Sequence, residues 1–157
     1  MSALRIIVQV SSVLIFTLSA GLAQAQSYGP DITVEVAKRV AAGTIAECQK
    51  NNWRVAVAVV DTHGSLVYFE RIDDTQNASG AIAIKKATVA ATFRRPTRAF
   101  VDAVAKGGPS VMTLPGMIAS LGGLPIVSGG KIIGAVGVSG VTGDQDEQCA
   151  KAGIAGM

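Results

Sequence analysis

The sequence predicts an α+β fold, a central antiparallel β-sheet with flanking α-helices, on three observations. Segments with apolar residues every three or four positions alternate with short runs dense in Val and Ile. Those runs come in pairs around tight turns, Asp61-Thr62-His63-Gly64 and Gly129-Gly130, which is the signature of hairpins. The order is helix, hairpin, two helices, hairpin, helix, and strands joined by hairpins rather than by helical crossovers pair antiparallel.

The first helix is predicted over Asp31 to Lys50. Val36 and Val40, with Ala37, Ala41, Thr44 and Cys48, recur at three- and four-residue steps, and Asp31 or Thr33 offers an oxygen to cap its start. Trp53 to Val60 is β-branched and too short for a second long helix, so it reads as a strand buried on both faces. Gly64 supplies the turn, and Ser65 to Arg71 returns with Leu66, Tyr68 and Glu70 on one face and Val67, Phe69 and Arg71 on the other.

Ala78 to Phe93 is an alanine-rich helix stopped by Pro96, and Thr97 can cap a shorter helix through Ala105. Lys106-Gly107-Gly108-Pro109 breaks the chain, and Gly116 to Gly123 carries no clear periodicity. Leu124 to Ser128 and Lys131 to Ser139 form the second hairpin, and Thr142 or Asp144 caps a last helix to about Ala152.

The amino-terminal segment differs from everything after it. Arg5 precedes an apolar run, Ile6 to Leu18, and small residues end in Ala23-Gln24-Ala25, the pattern of a cleavable secretory signal over 1–25. Thirteen residues make about 20 Å of helix, short of the roughly 30 Å hydrocarbon core, so a membrane anchor fits less well. Residues 26–157 then form a single domain in a periplasmic or secreted protein, with no other stretch of membrane-spanning length. Loss of Arg5 lowers the formal charge from +3 to +2, too mild and too scattered to argue for nucleic acid. With 49% hydrophobic residues in so small a chain, part of the apolar surface is expected to be covered in a homo-oligomer.

Two cysteines, Cys48 and Cys149, allow a disulfide in an oxidising compartment or two buried thiols that pack as small hydrophobes. Neither has Cys or His neighbours at zinc-ligand spacing.

Several residues could carry chemistry. His63, the sole histidine, lies at a hairpin tip, where it is either an exposed turn residue or the one imidazole able to ligate a metal. Asp61 beside it suits a side-chain bond to its own turn. Arg71 and Lys86 fall near the apolar sides of their elements, so each is expected to pair with an acid (Asp73, Asp74 or Asp146) or to hold an anionic ligand. Glycine-rich stretches match no nucleotide signature, and Gly116, Gly123 and Pro125 instead mark places where backbone approaches backbone or ligand closely. Met112 and Met117 flank Leu114-Pro115-Gly116, as packing residues or soft metal ligands.

Taken in order, these blocks resemble the GlcG/HbpS-like family. They are Val57-Ala58-Val59-Val60-Asp61 with Gly64 and Phe69-Glu70-Arg71-Ile72-Asp73, Ile82-Ala83 with Lys86-Ala87-Thr88, and Pro96-Thr97. Gly122-Gly123-Leu124-Pro125-Ile126, Gly134 to Gly140, and Asp146-Glu147-Gln148-Cys149-Ala150 follow. The resemblance covers about Thr33 to Gly153 and extends to the C-terminal domain of PduO-type proteins. It implies a profilin-like layered α+β fold, homo-oligomers that are often octamers, and in characterised members extracellular haem binding. Arg71 and Lys86 carry over as pocket residues, whereas the haem ligand varies between branches, leaving His63, Thr113 or a nearby methionine such as Met112. Cys149 lies in a block shared with cytoplasmic relatives, which weakens the case for a disulfide and leaves the choice between disulfide and thiols open.

Three functions follow as expectations. The first is a secreted oligomer that binds haem, whose apolar plane and propionates suit an Ala/Val-rich pocket with Arg71 and Lys86. The second is an enzyme or accessory protein for a small carboxylate metabolite, with Asp61 or Asp146 as acid or base. The third is an interaction subunit without a ligand.

Overall fold

Helix α1, Val34–Lys50, starts where Thr33 turns extended and its hydroxyl accepts the Val36 N–H, so Thr33 and not Asp31 is the cap. It buries Ala37, Val40, Ala41, Thr44, Ile45 and Cys48, the stripe expected from spacing. This is a computed structural model that describes residues 27–157; the signal reading for 1–25 lies outside the described residues.

Strands β1 (Ala56–Val60), β2 (Leu66–Arg71), β3 (Gly123–Ser128) and β4 (Lys131–Ser139) form one antiparallel sheet in the order β2-β1-β4-β3. β1 is central, and all five of its residues are buried, as a strand covered on both faces must be. Helix α2 (Ser79–Thr92) lies on one face, over Ala56, Ala58, Val60 and Ala135. Helices α1 and α4 (Gly143–Ala155) lie on the other, over Val57, Val59, Val136 and Val138. The result is the α+β layering expected from sequence.

The two cores differ in grain. The α2 side is nearly all alanine, which brings helix and sheet close together, and a Cβ on Gly137 would collide with the Ala83 carbonyl. On the opposite side α1 and α4 meet at Gly43 and Gly153. A Cβ on Gly153 would strike the Val40 carbonyl and the Thr44 hydroxyl. Cys48 and Cys149 form a disulfide there, with Cα atoms 5.7 Å apart, tying α1 to α4.

Helix α3 (Arg98–Ala105) follows α2, and a short 3-10 helix over Pro109–Thr113 follows α3. Only Phe100 of α3 is buried, and none of the 3-10 residues is. Val104, Met112 and Leu114 are exposed there. Helix α4 carries a full capping box between Thr142 and Gln145 and runs to Ala155, one turn beyond the expected end.

Candidate functional site

The strongest buried polar feature joins α2, β4 and α4. Lys86 is 2% exposed, and its Nζ donates to Asp146 Oδ2 at 2.7 Å and to the Val138 carbonyl at 2.8 Å. Asp146 Oδ1 accepts the Val141 N–H at 3.3 Å. Burial pushes the Asp146 carboxyl above its ordinary value, and the Lys86 ammonium opposes that push. Of the three acids open to Lys86 by sequence, the structure selects Asp146. Both residues thus spend their charge on each other. An enclosed pair of this kind fixes how α2 and α4 meet and offers no exposed cation to a ligand.

The glycine pair explains how the lysine is enclosed. Gly122 has φ +110°, and a Cβ there would sit 2.8 Å from Asp146 Cβ and 3.3 Å from Lys86 Nζ. A Cβ on Gly123 would collide with the Lys86 carbonyl. Gly123 is locked further by Thr97. The Thr97 N–H donates to the Gly123 carbonyl at 2.9 Å, and the Gly123 N–H donates to Thr97 Oγ1 at 3.0 Å. Thr97 therefore does not cap α3 with its side chain, as its spacing predicts; it closes the loop between α3 and β3. Next to it, Arg98 donates to Glu147 at 2.9 Å and to Asp144, and Lys151 pairs with Glu147 at 2.6 Å.

Arg71 has a different setting. Its partner on β1 is Ala56, so it lies on the α2 side of the sheet, but β2 is an edge strand that α2 does not cover, and Arg71 is exposed. The expected burial of Arg71 is corrected by the strand order. Arg71 and Lys86 do not share one anion pocket: one faces solvent and the other faces Asp146. A register shift between Val59 and Val60 puts Leu66 opposite Val60, on the side of Phe69 and Arg71 rather than that of Tyr68. Leu66 is 49% and Phe69 39% exposed, so the edge strand presents an apolar shelf ending in a guanidinium. Gly80 of α2 adjoins it; a Cβ there would lie 3.4 Å from Phe69 Cζ.

The remaining candidates are distributed over the surface. Pro125 is half-buried in β3 opposite Ala135, and Gly116 is exposed near Lys85. Met112 and Thr113 are exposed on the 3-10 helix, where Thr113 Oγ1 donates to the Ser110 carbonyl at 2.7 Å. Asp61 Oδ1 accepts the N–H groups of His63 and Ser65 at 2.9 and 2.8 Å, the turn role its position suggests. His63 has a side chain 78% exposed, and its Nδ1 lies 3.8 Å from Asp31 Oδ2. Asp31 is missed by sequence reasoning as anything but a cap. Hydrogen bonds from the Thr62 hydroxyl and N–H hold its carboxyl below the ordinary value. An open cleft of about 200 Å³ between Gln49, Asn52, Trp53, Arg54 and Ile72 lies at the end of α1. Among the described residues, no helix is long and apolar enough to cross a membrane.

A four-stranded antiparallel sheet layered between helices defines a small α+β domain, and comparison with known proteins gives the family to which the chain belongs. The family model described as haem degrading protein HbpS-like matches residues 32–155, and the chain belongs to this HbpS-like family. It is 42% identical to Protein GlcG of Escherichia coli over 108 residues, 69% of this chain and 81% of GlcG. Among solved structures, a double mutant of HbpS from Streptomyces reticuli superposes with a TM-score of 0.75 at 27% identity, covering 99% of this chain and 97% of that one. A PduOC–haem complex superposes with a TM-score of 0.74 at 25% identity, covering 81% of this chain and 95% of that one.

Proposed function

We propose that this protein is a secreted or periplasmic homo-oligomer that binds haem, for sequestration or presentation. The observation that carries the reading is the match of nearly the whole described chain to the HbpS-like family, together with its likeness to a protein solved with haem bound. Residues present here fit the group. Leu66 and Phe69 offer exposed apolar surface for a porphyrin plane, and Arg71 on the same side suits a propionate. His63 presents an exposed imidazole as the first candidate ligand for iron, with Thr113 and Met112 behind it. Lys86 takes no direct part in this reading, because Asp146 holds it; it shapes the domain on which the ligand rests.

The test is titration of the purified protein with haemin. A saturable Soret shift is expected, weakened in Arg71→Ala and altered in band position in whichever of His63→Ala, Thr113→Ala or Met112→Ala removes the axial ligand. Absence of saturation at tens of micromolar haemin would sink the proposal. The accompanying assignments are checked by the amino-terminal sequence of protein recovered from the cell envelope, expected near Gln26, and by light-scattering mass in solution.

A further inference from the structure

Asp31 and Asp61 are thirty residues apart in sequence, yet the structure brings both to His63. One oxygen of each carboxylate and one ring nitrogen of His63 all lie within 4.8 Å of one another. The three come from two separate segments, the lead-in to α1 and the β1–β2 turn, and both are pinned. Asp31 Oδ1 is held by the Thr62 N–H at 3.0 Å and by the Thr62 hydroxyl. Asp61 Oδ1 is held by the His63 and Ser65 N–H groups. The turn itself is fastened to α2, since Thr88 Oγ1 donates to the Gly64 carbonyl at 3.1 Å. Each carboxylate thus anchors through Oδ1 and keeps Oδ2 for another partner.

We propose that Asp31, Asp61 and His63 form an open three-ligand site for a divalent transition-metal ion of the zinc, cobalt or nickel type. The imidazole decides the class: calcium and magnesium prefer all-oxygen shells, whereas one nitrogen with two carboxylates suits the later first-row metals. The dimensions agree. Three atoms within 4.8 Å of each other share a point no more than about 2.8 Å from all of them, against about 2.0–2.2 Å for bound N and O ligands. Side-chain rotation of under about 1 Å per ligand closes that gap. Asp31 and His63 are exposed and Asp61 half-buried, so the remaining coordination positions open to water or to an external donor. The site requires no porphyrin and stands or falls independently of the haem reading.

The test is isothermal titration of the full chain, haem-free, with zinc chloride, paralleled by the visible absorption of added cobalt(II). One equivalent is expected to bind, with loss of that binding in His63→Ala and at least tenfold weakening in Asp31→Asn and Asp61→Asn. Asp61→Asn retains a side-chain carbonyl that can accept the turn N–H groups, so it reports on the metal and leaves the turn fold in place. No binding at millimolar zinc, or equal binding by wild type and all three variants, would overturn the site. Separately, a His63→Ala protein that loses zinc and keeps an unchanged haem spectrum would preserve this proposal while removing His63 as the iron ligand.

Discussion

Reducing the Cys48–Cys149 bond perturbs one connection between α1 and α4 and leaves every side chain in place. The bond spans 101 residues of sequence, about three quarters of the described chain, so it constrains the unfolded ensemble strongly. For a closed loop of about a hundred residues the chain-entropy model gives about 4.7 kcal/mol, and native disulfides in small domains are typically worth about 2–5 kcal/mol. At roughly 4 °C per kcal/mol for a domain of this size, the thermal midpoint should fall by about 8–20 °C on reduction. The comparison is wild-type protein, oxidised and after unfolding and refolding in reductant, followed by thermal and urea melts. Both cysteines are fully buried, so reductant must be applied to the unfolded chain. Mass spectrometry of denatured, unreduced protein should detect no thiol available for alkylation. Two alkylated cysteines, or superimposable melts with and without reductant, would refute the reasoning.

Lys86→Met strands Asp146 in a buried site and should cost about 3–5 kcal/mol in urea unfolding, while Lys86→Met with Asp146→Leu should recover most of that loss. A single variant as stable as the double would show that the ion pair contributes little to fixing α2 against α4. Gly153→Ala forces a methyl against Val40 and Thr44 across the α1–α4 contact and should lose about 1–3 kcal/mol, whereas Gly43→Ala, whose nearest obstacle is Gly153 Cα at 3.2 Å, should lose less. Equal melts for the two would argue against such close helix packing. The Gln148 amide, bonding at 2.7 Å, holds the Glu47 carboxyl below its ordinary value of 4.5. The folded state therefore gains stability from the charge above that pH and loses it as pH falls through the lowered value. The stability gap between wild type and Glu47→Gln should narrow from pH 6 to pH 3; a constant gap would contradict the assignment.

Much of the fold is legible in the sequence because its strands and helices obey their own periods. Val57 to Val60 reads as a buried strand from composition, and the Asp61–Gly64 and Gly129-Gly130 turns fix both hairpins. What sequence does not contain is which hairpin edge lies outside. Arg71 reads as if it sat near a covered face, and only the strand order β2-β1-β4-β3 exposes it. Leu66 follows strict alternation in the sequence, and the register shift beside Val60 moves it to the other side. Lys86 announces a need for a partner, yet three aspartates qualify until α4 is packed against the end of β4. Cys48 and Cys149 admit both a disulfide and a pair of thiols until α1 and α4 are seen to share a face. Asp31 gives no sign of meeting His63, because the contact exists only once α1 is laid against the first hairpin.

The clasp between Thr97 and Gly123 has a consequence for how such a chain can change over time. The chain leaves the layered body at Thr97, passes through α3 and the 3-10 helix, and re-enters at Gly123, the residue it departed beside. Lengthening, shortening or rewriting the stretch from Val104 to Leu114, none of whose residues is buried, leaves Arg98, Phe100 and Gly122 at their contacts with the layered body, since loop closure depends only weakly on length. The excursion is thus a cassette held in a fixed socket. Its exposed Val104, Met112 and Leu114 can be exchanged as a set, giving the same scaffold a new surface without a new fold.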